Sequence, residues 1–201
     1  MRTLPLLLVC GGLCGASVPY ALGHPHVFIE NSFTFVFTGG RLEGIAVTWI
    51  FDEMFSASII TGNDRNRNGK FEEQEIKMVE KGAFSNLKNF NYFLFIDTGG
   101  GRRKIGTVRD FRAEIRGRKL VYRFFVPLDI AASATEKALT AGCFDNTYFC
   151  DVTYAKDDPV TVKADERTYV SWELVKDRKN AYWGGTIVPR VVRLKFRSTD
   201  E

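Results

Sequence analysis

The tightest constraint on the fold lies in residues 26–51. Val27, Ile29, Phe33, Phe35 and Phe37 fall on one side of a two-residue period, and His26, Phe28, Glu30, Ser32 and Thr34 on the other. A period of two is the mark of a strand with one buried face. Thr38-Gly39-Gly40-Arg41 supplies a turn, after which Ile45, Val47, Trp49 and Phe51 resume the alternation, so the first two strands are expected as a hairpin. Further strands are expected over residues 92–97, 104–116, 119–127, 147–155, 168–175 and 186–197. Turn sequences such as Thr98-Gly99-Gly100-Gly101, Arg116-Gly117-Arg118 and Asp157-Asp158-Pro159 separate several of them. In the last strand Arg193, Lys195 and Arg197 alternate with Val192, Leu194 and Phe196, which one wet face explains without a nucleic-acid partner.

Helical spacing is confined to one region. Phe51, Met54, Phe55 and Ile59 precede residue 63, and Ile76, Val79, Ala83, Phe84, Leu87 and Phe90 follow residue 72, which predicts helices over 51–61 and 73–90. The fold class is therefore α+β, a mostly antiparallel β domain carrying one EF-hand-like helix-loop-helix insertion. Residues 24–201 are read as a single domain, because a chain of about 150–200 residues already hides about 70% of its unfolded surface.

Between the two helices, residues 64–75 match a twelve-residue calcium loop. Calcium takes six to eight hard oxygens, and the side chains of Asp64, Asn66 and Asn68 stand at positions 1, 3 and 5. Gly69 permits the sharp turn at position 6, Lys70 offers its carbonyl at 7, Glu72 acts through a water at 9, and Glu75 closes with two oxygens at 12. The alternative is an Asx-rich turn without an ion, since Arg65, Arg67 and Lys70 surround the loop carboxylates with positive charge. A loop so composed belongs at the weak end of the calcium range, roughly 10⁻⁴ to 10⁻³ M, where the ion's role is structural.

The first 23 residues differ from the rest. A single basic residue, Arg2, precedes an apolar run from Leu4 to Leu13, and Ala21 and Gly23 stand at −3 and −1 before His24, which reads as a secretory signal peptide cleaved after Gly23. The apolar run falls short of the ~20 residues that span a bilayer, and no second such run follows, so no transmembrane segment is expected in the mature chain. Cleavage removes one positive charge and leaves 27 basic against 24 acidic residues, a mild excess. Cys143 and Cys150 then remain in an oxidising compartment. A turn at residues 144–147 would bring them across a hairpin as a disulfide, and two buried free thiols are the alternative.

The same cleavage makes His24 the first residue of a His24-Pro25-His26 terminus. Its α-amine and imidazole can chelate together, and His26 can add a second imidazole. Nitrogen donors of this kind suit nickel, cobalt, zinc or copper and not calcium. Pro25 has no amide hydrogen, which closes the copper mode that recruits backbone amides. The plain alternative is two histidines at a frayed end. Glu30 shares the strand face of His26 but lies ~13 Å away at strand rise. Asp145, Asp52 and Glu53 are further ligand candidates by residue type alone.

Five stretches together resemble a bacterial family called domain of unknown function 1007. They are residues 24–30 (His24-Pro25-His26-Val27-Phe28-Ile29-Glu30), residues 48–56 around Trp49-Ile50-Phe51-Asp52-Glu53, the loop 64–75, residues 83–87 (Ala83-Phe84-Ser85-Asn86-Leu87) and residues 144–149 (Phe144-Asp145-Asn146-Thr147-Tyr148-Phe149). The resemblance runs from His24 to about Val162. Asn146 stands where the family usually has proline, and the segment from Lys163 onward lacks the family's usual cysteine-containing tail. The resemblance implies an exported periplasmic component of an uncharacterised ABC-type transport system, often encoded beside nickel or cobalt transporters. The expected function is a periplasmic metal-binding accessory protein partnered with a membrane metal transporter. The alternative is a calcium-stabilised interaction module of a transporter complex whose histidines bind nothing. An enzyme is the least favoured class, because no catalytic constellation is found.

Overall fold

The computed structural model describes residues 23–199. Of the expected signal peptide, residues 1–23, all but Gly23 lie outside the described residues. Among the described residues, ten strands form two sheets. The first contains β1 (Val27–Thr38), β2 (Arg41–Phe51), β4 (Arg109–Arg116), β5 (Lys119–Ala131), β7 (Cys150–Tyr154) and β8 (Val160–Lys163). The second contains β3 (Leu94–Asp97), β6 (Lys137–Cys143), β9 (Thr168–Lys176) and β10 (Arg190–Ser198). The chain is mostly β with few helices, as the period-two pattern requires.

The β1–β2 hairpin forms with Phe33 opposite Val47 and Phe35 opposite Ile45. Its inner face is buried at Val27, Ile29, Phe33, Phe35, Phe37, Ile45, Val47, Trp49 and Phe51, and one core joins these to Leu139, Ala141, Val192, Leu194 and Phe196 of the second sheet. Phe37 meets Phe196 across that core with ring centroids 5.3 Å apart. Asn31 interrupts the apolar face. It is fully buried, and its Oδ1 accepts the indole N–H of Trp49 at 3.0 Å, so a polar pair ties the hairpin together from inside.

Within this frame the pairing is less uniform than the sequence suggests. β2 lies between β1 and β5 in antiparallel register, but the other edge of β1 carries two parallel strands end to end, β7 beside Val27–Asn31 and β8 beside residues 33–36. β6 and β8 have no counterpart in the sequence reading. Ala138, Ala141 and Gly142 give β6 too little bulk for a legible alternation, and β8 has only four residues.

The helical region also departs from expectation. α1 (Glu53–Asn63) starts two residues later than predicted, because Asp52 is its N-cap and accepts the Phe55 N–H at 2.9 Å. The predicted helix 73–90 is three pieces: α2 (Glu73–Val79), a π-helical turn (Glu80–Phe84) and a 3₁₀ segment (Ser85–Phe93). Gly82 weakens the α-helix, and the wider π turn carries Phe84 into the core, where it stacks on Phe111 at 4.2 Å. Asn91, Tyr92 and Phe93 then take left-handed backbone angles that end the helix.

Candidate functional site

The loop between α1 and α2 is organised by its own carboxylates. Asp64 caps the end of α1, its N–H donating to the Ile60 carbonyl, while its Oδ1 and Oδ2 accept the N–H groups of Asn68 and Gly69 at 3.1 and 3.0 Å. Asn66 Oδ1 accepts from Asn68 N–H, and Asn68 Oδ1 from Lys70 N–H. These bonds, Asx turns among them, fold residues 64–70 tightly on themselves. Gly69 has φ +76°, a conformation that side chains with a Cβ rarely adopt. From the far side Glu75, almost fully buried, receives Arg65 N–H on Oε1 at 2.8 Å and Glu72 N–H on Oε2 at 3.0 Å. Those donors, Glu72 N–H above all, hold the Glu75 carboxyl below its ordinary range. Glu72 reaches inward as well, accepting amide hydrogens of Asn66 and Asn68. Hydrogen bonds thus tie Asp64, Asn66, Asn68, Glu72 and Glu75 into one loop network, while Lys70 enters it through its N–H and not its carbonyl.

The histidines are placed by the first strand. His26 N–H donates to the Phe149 carbonyl at 2.9 Å, which fixes the entry to β1. The His24 and His26 rings lie 4.7 Å apart, centroid to centroid. Both histidines are exposed, with aromatic rings beside them: Phe149 at 5.0 Å from His26, and Trp183 at 5.4 Å from His24 with Tyr148 behind it. Trp183 sits on the turn between Tyr182 and Ile187, a position that local sequence patterns do not connect with the N-terminus.

The two aspartates proposed as further ligands are occupied. Asp52 caps α1 through Oδ1 and accepts the Phe28 N–H through Oδ2 at 2.9 Å, bracing β1 against the helix. Asp145 is buried; its Oδ1 accepts from the N–H and the hydroxyl of Thr147, and its Oδ2 from Cys150 N–H at 3.0 Å. It shapes the turn that delivers Phe149 to the histidines. Glu53 pairs with Arg118 at 3.0 Å. Among the described residues, no three His, Cys, Asp or Glu side chains gather as a metal-binding group.

Cys143 and Cys150 are free buried thiols in this structure, one of the two arrangements that the sequence leaves open. Cys143 ends β6 in the second sheet and Cys150 begins β7 in the first, so residues 144–149 cross between sheets and form no hairpin. Burial pushes both thiols up, Cys150 to about 12. In the reduced native protein both are expected to react with a thiol reagent at pH 8 far more slowly than after unfolding. Two thiols titrated within seconds in the native state would contradict their burial.

A hollow of ≈ 490 Å³ opens beside the Asp145 turn, lined among others by Ile29, Trp49, Phe55, Leu87 and Phe149. Phe90 and Phe149 stand half exposed at its wall, and the hydroxyl of Tyr122, another lining residue, is buried without a hydrogen-bond partner. Four of the five stretches singled out in the sequence contribute to this lining, an association that only the fold reveals.

Against known proteins, the chain matches a family described as "Protein of unknown function (DUF1007)" over residues 9–179. The chain belongs to this family. The DUF1007 match extends past Val162, the limit read from the sequence, and ends before Trp183. An uncharacterised 15.5 kDa protein from the trpE 3' region of Spirochaeta aurantia is 31% identical over 131 residues, covering 65% of this chain and 93% of that protein. An uncharacterised protein of Haemophilus influenzae is 27% identical over 167 residues, covering 82% and 76% respectively.

Proposed function

We propose that this DUF1007 protein is an exported, periplasmic metal-binding accessory protein linked to transition-metal transport. His24 and His26 take nickel, cobalt, zinc or copper, and residues 64–75 hold a structural calcium in an EF-hand-like insertion. The partner is a membrane metal transporter or an ABC-type transport system. The reading rests on one observation above all, the 4.7 Å separation of the two imidazole rings. Two imidazoles bound to one ion at about 2.0–2.1 Å and near-tetrahedral angles have ring centres about 5 Å apart. Asp52 and Asp145 are engaged in hydrogen bonds, and the α-amine that cleavage after Gly23 creates would supply a third nitrogen. Mass spectrometry of the exported protein tests the cleavage, and calorimetric titration with nickel or copper tests the site. An N-terminus other than His24 would remove the amine from the proposed ligand set.

The apolar hollow favours a second reading, the calcium-stabilised interaction module, in which a transporter component inserts an apolar side chain there. The two readings separate in cells. If the protein confers tolerance to nickel or cobalt, the module reading expects Ala83→Trp to abolish it and the double change His24→Ala/His26→Ala to leave it intact. The metal-site reading expects the histidine changes to abolish it.

A further inference from the structure

Positive charge is concentrated in one stretch of the chain. Residues 101–123 hold nine Lys and Arg against two Asp and Glu, while the rest of the chain holds 19 against 22. The net positive charge of the protein therefore comes from this segment. In the fold it runs along one side of the two sheets, from the end of β3 through the 98–108 connection and up the open edge strand β4 to the start of β5. Arg103 reaches the Leu128 carbonyl, Arg109 lies over the Phe125 ring, Arg112 stands opposite Arg123, and Arg116 stands opposite Lys119. From Leu128 to Lys119 this basic stripe spans about 30 Å at strand rise.

Five of these nine cations have no ion-pair partner among the described residues. Glu114 takes Arg116 and Arg123, Asp110 takes Arg109, and Glu53 takes Arg118. Among the described residues, Arg102, Arg103, Lys104, Arg112 and Lys119 make no ion pair; Glu73 of α2 and Glu80 of the π-helical turn border Arg112 without reaching ion-pair distance. Charge on an edge strand deters other strands from adding to it. That purpose does not account for Arg123 and Lys119, which lie on β5, the second strand in. It does not account for Arg112 facing Arg123 either, because like charges directly opposite weaken a sheet.

We propose that this edge docks on an anionic phospholipid surface. Seven of the nine cations are arginines, whose planar forks suit phosphate oxygens better than ammonium groups do. They are spread along an open edge, which matches a surface of many headgroups rather than one acidic peptide. A negatively charged bilayer attracts basic segments within about one Debye length, so the attraction weakens with salt. The inference is independent of any metal at the histidines.

Co-sedimentation with vesicles containing phosphatidylglycerol and phosphatidylcholine tests it. The protein should partition to these vesicles and not to pure phosphatidylcholine, and 0.5 M salt should release it. Arg103→Glu/Arg112→Glu should lower partitioning at least about tenfold. Lys163→Glu/Lys176→Glu, which changes net charge equally on exposed residues elsewhere, should lower it far less. Melting curves of both variants verify folding. Equal losses in the two variants would overturn the proposal, as would no preference for anionic vesicles. Edge-dependent binding to soluble polyglutamate with none to vesicles would overturn it in favour of an acidic protein partner.

Discussion

Ten millimolar calcium is expected to raise the melting temperature of the mature protein by about 3–10 °C, and Glu75→Gln to remove most of that rise. A loop with a dissociation constant of roughly 10⁻⁴ to 10⁻³ M gains about 1.4 to 2.7 kcal/mol at this concentration, and a chain of this size gains about 2–4 °C per kcal/mol. Glu75 is the sensitive position because its two oxygens face the loop while already ordered by Arg65 and Glu72 N–H. Glutamine cannot supply two anionic oxygens. Magnesium should stabilise less, since it demands a smaller octahedral shell. The folded state holds the Glu75 carboxyl below its ordinary value, so its contribution is present above the unfolded carboxylate pKa of about 4.3 and disappears as pH falls through the lower folded value. The calcium response should fade in the same acid range. Equal calcium stabilisation of wild type and Glu75→Gln would discard the assignment.

What the sequence made legible depended on how local the physics was. The β1–β2 hairpin was readable because burial of one face writes a period of two directly into Val27 to Phe51. The loop at 64–75 was readable because its hydrogen bonds join residues at most ten apart, from Asp64 with Asn68 to Arg65 with Glu75. By contrast, the parallel partners of β1 arrive from residues 150–163, and no local pattern distinguishes parallel from antiparallel pairing in so short a strand. The break-up of helix 73–90 was hidden for a related reason. Its apolar spacing is helical, but packing Phe84 on Phe111 favours a π turn that propensity alone does not foretell. Asp145, a ligand candidate by residue type alone, organises a turn instead, through bonds that only the folded loop reveals. The ring that meets His24 belongs to Trp183, brought there only by the second sheet and its final turn.

Processed protein is expected to bind nickel or copper measurably, and a single residue added before His24 to weaken binding about as much as removing its imidazole. The chelate uses both nitrogens of His24, and an added residue converts the amine into an amide, which donates only to an ion able to displace its hydrogen, as copper can; zinc and cobalt do not do so at neutral pH, so the extension is compared with those ions. Both imidazoles survive in that variant, still held by His26 N–H on the Phe149 carbonyl and by the surrounding rings. Losing a ligand from the metal itself should cost more than the roughly 10- to 100-fold associated with outer-shell partners. His24→Ala and His26→Ala should each weaken binding, and His24→Ala more, since it breaks the chelate ring. Titration calorimetry on the four proteins separates the cases, because the extension changes the amine and its position while leaving both imidazoles in place. Unchanged affinity in the extended protein would eliminate the amine chelate and leave at most a two-imidazole site. Absence of binding by the processed wild type would eliminate the transition-metal role of these histidines and leave the interaction-module reading.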